Sequence, residues 1–189
     1  MKSPLPPPGS VLLLIDIQKA IDHPSWGQRN NPAAESQVRK LLDHWRNRKW
    51  PVWHVRHDSL NPLSEYRPGQ PGNEFKPDVA PLPGELVIAK HSNSAFIRTD
   101  LESRLKAEGH QALVVAGVIT NNSVEATVRM AGNLGFATYL VADGCFTCDR
   151  KDWSGTLRSA QEVHDMTLAN LHPEYCSVVV ADALLSQST

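Results

Sequence analysis

Three polar residues stand where apolar segments end, and together they have the makings of a catalytic group. Asp16 interrupts the run Val11-Leu-Leu-Leu-Ile-Asp-Ile17. A carboxylate in such surroundings costs several kcal/mol unless it is paired or hydrogen-bonded. It serves either as a general acid or base with a partner, or as the cap of a turn at the strand tip. Lys90 directly follows Leu86-Val-Ile-Ala89 and is a natural ion partner for Asp16; its plainer role is a solvated strand-end lysine. Ser123 lies in Gly117-Val-Ile-Thr-Asn-Asn-Ser-Val124, a segment joining a strand to a helix. Free N–H groups and the helix dipole at such a junction favour an anion or a developing oxyanion, and a serine there also suits an N-cap.

The elements that must position these residues follow from hydrophobic patterning. Val11–Ile17 is a short continuous apolar run, the mark of a strand buried on both faces. Pro32 to Lys49 carries Val38, Leu41, Leu42 and Trp45 at helical spacing, with Pro32 in the first turn. Further strands are expected at Val52–Val55, Leu86–Ala89, Ala112–Ala116, Ala137–Val141 and Ser177–Ala181. Helices are expected from Asp100 to Glu108, with a Thr99/Glu102 capping box, from Val124 to Leu134, and from a Ser159/Glu162 box to Leu171. Residues 57–84 hold six prolines and no steady period, which suggests a functional loop acting as a lid or pocket wall. Alternating strands and helices imply a three-layer α/β/α fold with a six-stranded parallel sheet. Ligands of such sheets bind beyond the carboxyl ends of the strands. That rule singles out Asp16, His54, Arg56, Lys90, Thr120 to Ser123 and Asp143 to Cys148.

Composition narrows the field. The 189 residues suit a single domain spanning 1–189, and a net charge of -1 argues against a nucleic-acid surface. No apolar run approaches the ~20 residues of a membrane span, and the Pro-rich stretch Met1 to Gly9 lacks the apolar core of a signal peptide. Three cysteines, an odd and low count, fit free thiols in a reducing compartment, so a cytoplasmic location is expected.

With these residues placed, the chain resembles the isochorismatase-like cysteine hydrolases. The resemblance rests on Asp16-Ile-Gln18, Lys90 with Asn93-Ser-Ala-Phe96, and Gly117-Val-x-Thr-Asn-x-Ser-Val124. Thr127-Val-Arg129, Asn133-Leu-Gly-Phe136 and Val141-Ala-Asp143 extend it, and it spans about residues 10 to 185. It implies a Rossmann-type sheet, an Asp–Lys–Cys triad attacking an amide or related carbonyl, and a homo-oligomer, dimer or tetramer, without a cofactor. Asp16 would be the base and Lys90 the group that holds and polarises the pair. A cis peptide between Val118 and Ile119 would aim the N–H groups of Ile119 and Ser123 into an oxyanion hole. The chain departs from the family at one place: the nucleophilic cysteine falls at Ser123, and a hydroxyl does not ionise near neutral pH as an activated thiol does. Three readings fit that serine: an engineered trapping substitution, a natural slow or altered hydrolase, or a pocket that has lost its chemistry. The true isochorismatases also lack the cysteine and cleave a vinyl ether with the aspartate as acid, a route that Ser123 permits. Their usual residue here is glycine, however, and the Asn93-Ser-Ala-Phe96 and Thr-Asn-x-x-Val context is nearer the amide-cleaving branch.

Other candidates weigh less. Nicotinamidases of the same superfamily bind a metal through an Asp-x-His pattern, whereas here the order is His54-Val-Arg-His-Asp58, so no metal site is expected. Cys145-Phe-Thr-Cys148 does not open a long helix and is a poor redox motif. Trp26, His54, Phe96 and Asn122 are the expected walls of a small-molecule pocket, with Trp153 a further aromatic choice. Arg129 is expected to form a structural pair.

Overall fold

A computed structural model describes residues 5–187 of the chain. Strand β1 (Val11–Ile15) is buried along its whole length, as an apolar run with no polar face demands. It lies inside a six-stranded sheet with β2 (Val52–His57), β3 (Leu86–Lys90), β4 (Ala112–Val118), β5 (Ala137–Phe146) and a last strand, Ser177–Val179. All neighbours are parallel. The order is β3-β2-β1-β4-β5 and then the last strand, so the chain moves outward to β3 and returns to β4 on the other side of β1. The switch point therefore falls between β1 and β4, where a parallel sheet opens a crevice at its carboxyl edge.

Helix α1 (Ala34–Asn47) buries Val38, Leu41, Leu42 and Trp45, the stripe that the spacing predicts. Trp45 also donates its indole N–H to the Ser10 carbonyl at 2.8 Å, which satisfies the one polar atom of a fully buried ring. Helices α2 (Leu101–Ala107), α3 (Glu125–Asn133) and α4 (Ala160–Leu171) follow, and a short α5 (Ala181–Leu185) ends the fold. Helix α1 packs on α5, and α3 on α4, giving three α/β/α layers.

Several boundaries differ from the sequence expectation. Helix α2 has Asp100 as its N-cap without a side-chain cap bond, and Thr99 turns back to the Ala95 carbonyl, so the Thr99/Glu102 box does not form. The Ser159/Glu162 box on α4 is complete. Strand β5 extends five residues past Val141, because Cys145 and Phe146 rejoin the ladder opposite Gly117 and Val118 after a shift of register. The polar stretch Ala142-Asp143-Gly144 hides that continuation from a hydrophobic pattern. A small hairpin, β6 (Arg150–Lys151) with β7 (Leu157–Arg158), projects after it, making Ser177–Val179 strand β8. The last strand stops at Val179, since Ala181 starts α5 with its N–H bonded to Asp143 Oδ1 at 2.8 Å. Among the described residues no helix is long and apolar enough to cross a membrane.

Candidate active site

Asp16 leaves β1 with φ of 52°, an uncommon conformation for a residue with a side chain. Its N–H is held by the Val55 carbonyl at 3.0 Å and its carbonyl by Gln18 N–H at 2.8 Å. The turn brings its carboxylate to the crevice between β1 and β4. Lys90 ends β3 with a side chain that is 0% exposed. Its ammonium donates to Asp16 Oδ2 at 2.7 Å, the Ser92 carbonyl at 3.0 Å and Ser123 Oγ at 3.2 Å. Three acceptors meet three N–H bonds, so this buried cation is fully satisfied. Ser123 accepts from Lys90 and keeps its own proton to offer the Asp16 carboxylate.

Burial raises the pKa of Asp16, and the charge and hydrogen bond of Lys90 and the Ser123 hydroxyl counteract it only in part. Its second oxygen, Oδ1, is buried without a partner. A carboxyl group of raised pKa with one open oxygen is suited to exchanging a proton with a bound molecule.

The Val118–Ile119 peptide is cis. It leads into a wide helical turn, Thr120–Val124, whose carbonyls at Thr120 and Asn122 accept from Glu125 N–H before α3 begins. Ile119 O accepts from Asn122 and Val124 N–H at 3.1 and 3.4 Å. Thr120, fully buried, shares a hydrogen bond of 2.9 Å with Nδ1 of His164 on α4. The turn that presents Ser123 is thus tied to the outer helix layer.

Loop 57–84 forms a pinned wall. The Gln18 amide donates to the carbonyls of His57 (3.1 Å) and Asn73 (2.8 Å) and accepts from His57 N–H at 2.8 Å. Asn73 in turn donates to the carbonyls of His57 and Tyr66 and to Asp58 Oδ1. The wall stands an aromatic row beside the crevice: His57 edge-on to Tyr66 at 5.7 Å, and Tyr66 edge-on to Trp26 at 6.4 Å. His57 is pushed down to about 4 by burial and by the neighbouring Lys90 charge, and its Nδ1 is buried without a partner. Burial and the Asp16 charge raise Tyr66 well above the ordinary phenol value.

Of the residues expected at the site, Asp16, Lys90 and Ser123 meet, and Ile119 belongs to the same turn. Trp26 packs with Ile119 on a cluster of Ala20, Ile21, Tyr66, Val118 and Phe146, beside the wall. Asn122 is exposed on the turn. Two expected walls lie elsewhere. The His54 imidazole turns to Glu85 at 3.0 Å and packs against Phe75, because β2 alternation sends it to the face opposite His57. Phe96 stacks on Phe136 at 5.8 Å inside the main core. Arg56 pairs with Asp58, Arg129 pairs with Glu125, and Trp153 is 99% exposed. Among the described residues no three His, Cys, Asp or Glu side chains are grouped to hold a metal ion. The three cysteines are free and buried; burial pushes Cys145 up to about 12 and raises Cys148, which suits neither for redox exchange.

The sequence pattern missed Asn73, Tyr66 and His164; it held Gln18 only within the Asp16-Ile-Gln18 match and His57 only within the segment set aside as a metal site. Gln18 lies two positions after Asp16, and only the structure shows that it is fully buried there. A broad surface hollow bounded by Trp50, Trp53 and Glu85 lies away from the three-residue cluster.

Fold and cluster together define an α/β protein with ionisable groups converging at the switch point of its sheet. Residues 10–171 match the isochorismatase domain. The chain is 60% identical to a Chromobacterium violaceum protein of the isochorismatase family, covering 98% of this chain and 97% of that one with a TM-score of 0.95. It is 38% identical to the uncharacterized isochorismatase family protein YrdC of Bacillus subtilis, over 93% of this chain and 94% of that protein. Nicotinamidase 3 of Arabidopsis thaliana is 27% identical over 93% of this chain and 86% of its own length. The chain belongs to the isochorismatase family, as a hydrolase of three-layer α/β/α fold.

Proposed function

We propose that the protein hydrolyses a C–N bond of a small non-peptide amide or related carbonyl compound, without a cofactor and within one domain. The observation that carries this reading is the buried Lys90 ammonium bridging Asp16 and Ser123 at 2.7 and 3.2 Å. A relative named for nicotinamide, an amide, supports it. Ser123 Oγ attacks the carbonyl carbon while its proton passes to Asp16, and the oxyanion forms against the N–H groups of Ile119 and Ser123. Asp16 returns the proton to the leaving nitrogen as the C–N bond breaks, and water then cleaves the acyl ester with Asp16 again as base. Lys90 keeps the carboxylate and hydroxyl in register throughout.

A hydroxyl is a far weaker acid than a thiol, so the serine route is slow. Ser123→Cys should raise kcat/KM on a panel of small amides by on the order of a hundredfold, and Asp16→Asn should abolish turnover. An inert Ser123→Cys enzyme across a broad panel would end the amide reading.

A second reading has its own support. The raised pKa of Asp16 and its open Oδ1 suit a proton donor to the double bond of an isochorismate-type vinyl ether. In that reaction Ser123→Ala is nearly neutral, whereas in amide cleavage it is inactive.

A further inference from the structure

Two side chains near the start of α4, Gln161 and His164, lie three residues apart and so share one face of the helix. Both connect to the turn that carries Ser123. His164 is 3% exposed, and its Nδ1 meets the hydroxyl of the fully buried Thr120 at 2.9 Å. The second route runs past the end of β5. Gln161 Oε1 accepts from the Asn30 amide at 3.4 Å, and Asn30 Oδ1 accepts from Thr147 N–H at 2.9 Å. The Thr147 hydroxyl donates to Asn121 Oδ1. Consecutive residues of the turn are thus held by different partners, Thr120 directly by α4 and Asn121 through the segment after β5.

The base from which His164 acts is itself fixed. Ser159 and Glu162 complete the capping box of α4, and Ala160 N–H donates to Asp149 Oδ1 at 2.7 Å. Burial lowers the pKa of His164, so near neutral pH the ring is uncharged, with one nitrogen a donor and the other an acceptor. Apolar side chains of similar shape in both places would pack about as stably without desolvating an imidazole and a hydroxyl. What the polar pair adds is a fixed direction for the turn.

That direction matters because the margins at the site are small. Thr120 lies between Ile119 and Ser123, and Ser123 Oγ is 3.2 Å from the Lys90 ammonium, the long end of the normal range for such a bond. A further shift of about half an ångström loses it. We propose that His164 is a positioning residue for the reaction: acting through Thr120, it holds the Ser123 hydroxyl against Lys90 and keeps the N–H groups of the turn aimed at the developing oxyanion. This role rests on Ser123 being the nucleophile of the amide cleavage proposed above.

Iodoacetamide alkylation of the thiol in a Ser123→Cys protein, followed against pH, tests the contact without any substrate. Mass spectrometry of the peptide spanning position 123 separates that thiol from the three buried native ones. Lys90 beside the thiol favours the thiolate, so the pH profile reports whether the turn keeps its place. His164→Leu and Thr120→Val, each added to this protein, should move the profile to higher pH and slow alkylation at pH 7 at least about threefold. The two together should do no more than either alone, because both cut the same bond. His164→Asn, whose amide group takes the place of Nδ1, should restore the profile. On any amide that the Ser123→Cys protein turns over, His164→Leu should lower kcat about tenfold with KM little changed. Thermal melting checks the fold of each variant. An unchanged alkylation profile in folded His164→Leu and Thr120→Val variants overturns the proposal, whatever their loss in Tm. So do additive effects of the two substitutions, or a folded His164→Asn variant that behaves as His164→Leu does.

Discussion

At the scale of single residues, the site depends on what burial does to charge. Asp16 and Lys90 are both nearly excluded from water, and each makes the other tolerable. The pair still leaves Asp16 with a raised pKa, a form of the carboxyl group useful both as base and as acid. His57 next to it is the opposite case. Its imidazole titrates near 6.5 in an unfolded chain but at about 4 here, because burial and Lys90 disfavour the cation. Between those values the unfolded chain holds a proton that the folded chain refuses. Stability is therefore complete above about pH 6.5 and declines as the pH falls towards 4. His57→Phe keeps a ring against Tyr66 and removes the titration, so the fall in Tm from pH 6.5 to 4 should become shallower. A gentler slope should persist, since burial also holds His54 and His164 below the usual histidine range. An unchanged slope in His57→Phe would assign the acid sensitivity to those other histidines.

At the scale of elements, the decisive contact is between the tips of β1 and β4. Gly117 has φ of 134°, and a Cβ there would lie 2.2 Å from the Ile15 carbonyl oxygen. Only glycine lets the two strands close to this distance immediately before Asp16 and the cis-peptide turn. Gly117→Ala combines a strained backbone with a collision against main chain, and should cost at least about 3 kcal/mol in urea unfolding. Turnover should fall further than stability alone explains, because both Asp16 and the Ser123 turn are pushed apart. Full stability in this variant would show that the strand tips can separate freely. The turn itself is supported from outside by the bond between Thr120 and His164 on α4.

At the scale of the whole molecule, one amide joins two regions distant in sequence. Gln18 reaches 39 and 55 residues along the chain to the His57 and Asn73 main chain, and main-chain bonds from Lys19 to Glu74 and from Lys76 to Ile17 run beside it. The long loop is thereby tied to the end of the sheet that carries Asp16 and Lys90. Gln18→Ala leaves the His57 N–H and Asn73 carbonyl without this partner, at a cost of about 2–3 kcal/mol. Amide exchange should accelerate selectively across residues 57–76, with the core strands slower to respond. Uniform acceleration over the entire sheet would mean that Gln18 supports the global fold and has no special hold on the wall.

What the sequence by itself determined is the sheet and the three residues at its carboxyl edge. Apolar runs such as Val11–Ile15 can be buried only between two layers, and a parallel sheet lines up the carboxyl ends of its strands along one edge. The strand-end rule picked out Asp16, Lys90 and Ser123 along with His54, Arg56 and Asp143 to Cys148, and the resemblance to the isochorismatase-like hydrolases set the three apart. The aromatic wall was not, because residues 57–84 have no period and their conformation is set by hydrogen bonds to Gln18 rather than by local preference. His54 and Phe96 were misplaced for a related cause: one-dimensional spacing says that a side chain sits near a strand end, but only packing decides which face of the sheet it meets. The tertiary structure alone made the remaining choices, since they depend on contacts between residues dozens of positions apart.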